Sequence, residues 1–232
     1  MRSIIVLTIL FALLAGHVAG ADTPPADLQQ IKATLEGAKT TLKPQAFGSP
    51  KGLAIATTEQ TIDGKKVKVT AYTCSYSGAC MTITQDEQGN VLSAQMSHEG
   101  QVTPMNFKVE DGQIKLSHTY AATGSFLQVT LQSDGGIVTT LATSTGQVLK
   151  TELSSTGQVV SDTVIDTKTK TTLTTAYKSD GSKTVTVADL AAGKAQTTEV
   201  DKTGKETVGP IKDIPAIPPG ATWCSVTGQW EV

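Results

Sequence analysis

The sequence predicts a mainly β fold. It reads as an antiparallel meander of about a dozen hairpin repeats of 11–12 residues, partly rolled, behind one short N-terminal amphipathic helix. Three observations predict it. The phrase "STGQV" occurs at 144–148 and again at 155–159. Glycines recur at Gly89, Gly100, Gly112, Gly124, Gly135, Gly146, Gly157, Gly181, Gly193 and Gly204, at steps of 11 or 12 except for one step of 24. Between them apolar and polar residues alternate, as in "SFLQVTLQ" (125–132). Such a unit is one strand of about eight residues plus a tight turn whose Gly, Asn or Asp takes a positive φ. "DTKT" (166–169) stands as the missing turn within the long step. A parallel solenoid competes, but its coils need roughly 18 or more residues.

Residues 1–21 read as a secretory signal peptide. Arg2 gives the positive start, Ile4 to Ala15 the apolar run, and "GHVAGA" the small residues for cleavage. The run is shorter than the ~20 residues of a spanning helix. Loss of Arg2, the one arginine, takes the net charge from −2 to −3. That balance argues against nucleic acid and against a basic membrane-surface patch. Threonine is abundant, at 37 residues, and suits the solvent face of strands.

Residues 22–44 predict the helix, with Thr23 as cap and Pro24 at its first position. Leu28, Ile31, Leu35, Ala38 and Leu42 form one apolar stripe, and Pro44 stops the helix. Packing on a sheet explains the stripe; a dimer seam of so few heptads is the weaker alternative.

Residues 45–208 carry the meander. Asp63-Gly64 marks its first hairpin. Leu127, Val129 and Leu131 share one face, opposite Gln128, Thr130 and Gln132, so one face is buried and the other wet. After about Asp166 large apolar side chains thin out, which predicts a nearly single-layer sheet there. Residues 209–232 read as a proline-rich linker and a Trp/Cys tail that folds back as a cap. Trp223 and Trp230 are its candidate contacts for a protein or glycan partner.

Export would permit disulfides. Cys74 and Cys80 flank "SYSGA", a short loop whose ends can face each other, so they are the candidate pair. Cys224 is then the odd thiol, with joining to Cys74 or Cys80 as the alternative. His98 and His118 do not share a metal: if Glu99-Gly100 and Asp111-Gly112 are two-residue turns, the two rings lie about 17 Å apart. No phosphate loop, zinc motif or nucleophile elbow is present, and no catalytic, cofactor or metal residues are assigned.

The turns, together with "TAYKSDGSKTVTVADLAAGKAQTTEVDKTGK" (175–205), resemble the tyrosine-aspartate (YD, Rhs-type) hairpin repeats of bacterial secreted proteins over about residues 85–207. The family's adjacent Tyr-Asp pair is missing; Tyr177 near Asp180 is the part of the chain that resembles it. The resemblance implies a rolled, continuous sheet with a scaffold role. The expectation is therefore an exported structural or interaction protein, periplasmic or extracellular, whose edge strands can self-associate. Two alternatives are a secreted hydrolase or lyase with its site on the sheet face, and a small outer-membrane β-barrel.

Overall fold

The computed structural model describes residues 27–224 and 227–232. The expected signal peptide and the expected cap at Thr23 and Pro24 lie outside the described residues. The helix α1 spans Leu28–Leu42 and is capped by Asp27, whose carboxylate accepts from the backbone N–H of Gln29 (3.0 Å) and Gln30 (3.3 Å). A 3₁₀ turn, Lys43–Gln45, follows at Pro44 and ends it.

The first sheet runs β1 (Leu53–Ile62), β2 (Lys65–Cys74), β3 (Cys80–Gln85), β4 (Val91–His98) and β5 (Gln101–Pro104), each pairing with the next. The second has ten strands. They are β6 (Asn106–Glu110), β7 (Gln113–Tyr120), β8 (Ser125–Leu131), β9 (Ile137–Ala142), β10 (Gln147–Leu153), β11 (Val159–Asp166), β12 (Thr171–Tyr177), β13 (Lys183–Asp189), β14 (Lys194–Val200) and β15 (Glu206–Asp213). A small hairpin, β16 (Thr222–Cys224) with β17 (Gln229–Glu231), closes the chain. The meander is as predicted, with fifteen strands rather than about a dozen. Both large sheets are open. β15 runs past position 208, so Pro210 belongs to an edge strand, where its missing N–H costs no ladder bond.

β5 and β6 are almost one strand that changes partners. Before Met105 it pairs with β4, and after it with β7, while the Met105 N–H still donates to Ala94 O at 2.9 Å. The chain thereby turns a corner, and the first sheet packs on the second. Met81, Ile83, Ala94 and Met96 meet Leu116, Leu127, Val129, Ile137 and Leu153 in one core.

Antiparallel register aligns Leu127, Leu141, Leu149, Val164, Leu173 and Val187 across six strands of the inner face. The first sheet covers the early strands, and α1 covers the later ones through Leu28, Leu35 and Leu42. Each such leucine contributes about 1.5–3 kcal/mol by leaving water. The expected single layer after Asp166 is therefore corrected: Leu173, Val185, Val187 and Val200 are buried under the helix. The outer face is not wholly wet either. Ala142, Val148, Ile165, Ala188 and Ala195 pack against Ile217, Ala221 and Trp230 of the folded-back tail.

The turns divide into two kinds. Asp63-Gly64, Glu99-Gly100 and Asp111-Gly112 are two-residue turns with positive φ at both positions. Most turns of the long sheet are one residue longer. In the first "STGQV", the Gly146 N–H donates to Thr143 O (3.1 Å) and the Thr143 N–H to Gln147 O (2.8 Å), with Gly146 alone at positive φ. The turn after Asp166 lacks glycine, and Lys170 takes that position at φ 56°.

The second "STGQV" does something further. Gly157 O accepts from the Leu53 N–H at 2.8 Å, locking the entry of β1 onto the β10–β11 turn. A Cβ on Gly157 would stand 2.1 Å from Leu53 O, whereas one on Gly204 would meet nothing, although both residues have positive φ. Gly204→Ala is expected to cost about 1–2 kcal/mol for the backbone alone. Gly157→Ala should cost roughly 1–3 kcal/mol more, because packed backbone must shift. Urea unfolding of the two variants measures the difference; equal losses would contradict the lock.

Candidate functional site

A polar row crosses the inner face among the apolar ones. Register places Thr139, Thr151, Asp162, Thr175, Val185 and Thr198 side by side on β9 to β14. All four threonines and the aspartate are buried. Threonine thus serves the interior as well as the wet face, where Thr163–Thr174 (3.0 Å) and Thr186–Thr197 (3.1 Å) bond across strands. Thr139 Oγ1 donates to Phe47 O at 2.9 Å, which ties the segment after α1 to the sheet.

Asp162 is the centre of the row and is 2 % exposed. Lys39, on the sheet-facing side of α1 between Leu35 and Leu42, places its Nζ against Asp162 Oδ1 and donates to Thr175 Oγ1 at 2.6 Å. Lys43 Nζ stands 3.6 Å from Asp162 Oδ2. The Tyr177 hydroxyl donates to the same Oδ2 at 2.7 Å. Burial pulls the Lys39 ammonium below the usual lysine range, against the opposing attraction of Asp162. Burial first, and then the charge of Asp162, pushes the Tyr177 phenol far above its ordinary value.

This arrangement pins the helix. It also brings an amine, a carboxyl and a phenol together away from water, a combination that sequence reading did not single out. The signal was present in part: Asp162 is in phase with the inward Val164, and Lys39 lies within the apolar stripe.

The predicted site residues fall elsewhere. Cys74 and Cys80 do not pair: all three cysteines are free thiols. The reason is register. Cys80 stands opposite Thr73, so its side chain leaves the face opposite to that of Cys74. Cys74 is buried in the core at 1 % exposure, and Cys80 lies on the outer face near Thr82 Oγ1. Burial raises the Cys74 thiol, yet hydrogen bonds led by Ser77 bring it below the ordinary value. Cys224 is half-buried in the terminal hairpin.

Trp223 and Trp230 pack edge to face with centroids 5.6 Å apart, and Lys170 Nζ lies 5.9 Å above the Trp230 ring. Trp230 is buried against the outer face, as expected of a cap. His98 pairs with Gln101 as the turn register requires, while His118 is edge-on to Tyr120 at 4.8 Å. Among the described residues no cluster of metal-ligating side chains forms. Two open depressions lie at the turns, one beside Asp134, Glu152, Ser154 and Ser155, the other beside Asp180, Glu199, Asp201 and Lys205. Glu152 is already engaged by Lys150 (2.7 Å) and Ser161 (2.9 Å).

No family model matches the chain, and none of the curated proteins is similar to it.

Three outcomes are expected from this geometry. Asp162→Ala strands Lys39 in the interior and should cost about 3–5 kcal/mol in urea unfolding. Tyr177 has a folded-state pKa above its unfolded value, so its contribution is complete below about pH 10 and is lost as pH rises further. In a spectrophotometric titration, Tyr177→Phe should remove the last phenolate step, and a phenol ionising at its ordinary pH would contradict the buried bond. A thiol reagent should label Cys80 in the folded protein and Cys74 after unfolding alone; a peptide joining the two through a disulfide would contradict the register.

Proposed function

We propose that the protein is an exported scaffold of the periplasm or cell exterior that binds a partner protein through an open sheet edge. The observation that carries this reading is β1. Ten residues long, it lies at the edge of the first sheet with nine exposed, and "LAIATTEQTI" holds no proline and one charge. The other edges are blunted. β15 carries Pro210 and faces β14 across a register shift at Gln196/Thr198, and the β5–β6 edge is broken at Met105 after Pro104. Beyond Leu53, whose N–H is taken by Gly157 O, the outer side of a long edge strand is suited to an added strand from another chain. Exposed Ile55 and Ile62 give that strand apolar contacts at the two faces' margins.

The open edges also weigh against the outer-membrane barrel, because unpaired backbone groups are costly in hydrocarbon. No particular cluster of groups favours the hydrolase or lyase alternative over binding.

Two measurements test the reading. Cell fractionation should recover the tagged protein in the soluble periplasm or medium, with no heat shift on gels; an outer-membrane band that shifts on boiling would overturn it. Glu59→Pro, which removes an outward-facing backbone N–H near the middle of β1 and spares the bonds to β2, should abolish capture of the partner or of a second copy while the fold survives. Undiminished capture would remove β1 as the docking edge.

A further inference from the structure

We propose that the Lys39 side-chain amine and the Asp162 carboxyl condense with each other, forming a side-chain amide that ties α1 covalently to β11. This goes beyond the scaffold reading and does not depend on it.

Three features carry the inference. The two groups are sealed between helix and sheet, at 9 % and 2 % exposure. Lys39 Nζ is in contact with Asp162 Oδ1, and another of its N–H groups is given to Thr175 Oγ1, which fixes the nitrogen against the carboxyl group. Oδ2, the other carboxyl oxygen, receives the Tyr177 hydroxyl at 2.7 Å and has the Lys43 cation at 3.6 Å. Holding two reactants in this way replaces the encounter that makes amide formation slow in water.

The chemistry balances without an added reagent. A proton passes from the Lys39 ammonium, whose charge burial disfavours, to the Asp162 carboxylate, which frees the amine lone pair and makes Oδ1 the hydroxyl that will leave. The amine lone pair attacks Cγ and a C–N bond forms. Negative charge develops on Oδ2, where the Tyr177 O–H and Lys43 stand to stabilise it. The C–Oδ1 bond breaks, and the oxygen leaves as water with the second proton of the nitrogen. One amide and one water replace one ammonium and one carboxylate, with no change in oxidation state. Thr175 is a positioning residue: it orients the nitrogen and touches no reacting carbon.

Lys32, Lys150 and Lys178 differ in setting. Each meets its carboxylate with at least one partner open to water, where the ion pair is the stable form.

The test is the intact mass of the folded full chain, reduced and denatured, with the N-terminus fixed by sequencing. The expected result is a mass lower than the sequence requires by one water. Trypsin should then give a branched peptide joining the segments that contain Lys39 and Asp162, with no cleavage after Lys39. Lys39→Arg should restore the full mass. Tyr177→Phe should form the same branch at least ~10-fold more slowly after folding is started. A full mass in the unaltered protein overturns the proposal, and so does a water loss that maps to a linear peptide, as a cyclic imide at Asp162 would. The unaltered chain alone decides, so a variant that fails to fold does not blunt the test.

Discussion

The inner face of the ten-stranded sheet is wider than any one element can cover, and the rest of the molecule is arranged around that constraint. Six strands place a large apolar residue in the same row, and such a face must meet another layer. The chain supplies two covers of different kinds. The first sheet folds over the early strands at the Met105 corner, and α1 lies over the later ones. Their seam falls where Phe47, Leu53 and Leu153 meet, and there the backbone lock of Leu53 on Gly157 holds the two covers in place. The glycine of the repeated phrase therefore does more than turn the chain. Its missing Cβ lets two backbones touch.

Most of this architecture was legible because the turns punctuate the sequence. Spacing of the glycines gave strand length, and alternation gave the faces. The dipeptides Glu99-Gly100 and Asp111-Gly112 gave a register that places His98 opposite Gln101, as found. Less visible was the second sheet's far half. Val185, Val187 and Val200 looked too sparse to make a core, because small side chains between them gave no sign that a helix from more than 100 positions earlier lies on top. The cysteine pairing failed for a local reason. Counting loop residues suggested two ends that face each other, but a shift of one position in the ladder sends Cys74 inward and Cys80 outward.

The buried polar row was harder to read. Threonine on a strand suits water and interior alike, so Thr139, Thr151 and Thr175 gave no sign of their burial. Asp162 could have been noticed as an acid in phase with Val164, and Lys39 as a base within an apolar stripe. Neither is informative alone. A buried charge is tolerable only with its partner, and the partner lies in a different element.

Helix α1 also sets an order of events. Its contacts with the sheet reach from Lys32 to Glu206, 174 positions away, and the surface under its apolar stripe is complete only once β12 to β14 have joined β9 to β11. A helix of 15 residues is marginal by itself in water. The first element of the described residues is thus among the last to be secured, and non-local closure of this sort is slow. In a chain threaded N-terminus first through a narrow pore, the hairpins would pair one after another as they emerged, while the helix waited at the exit for the strands it covers.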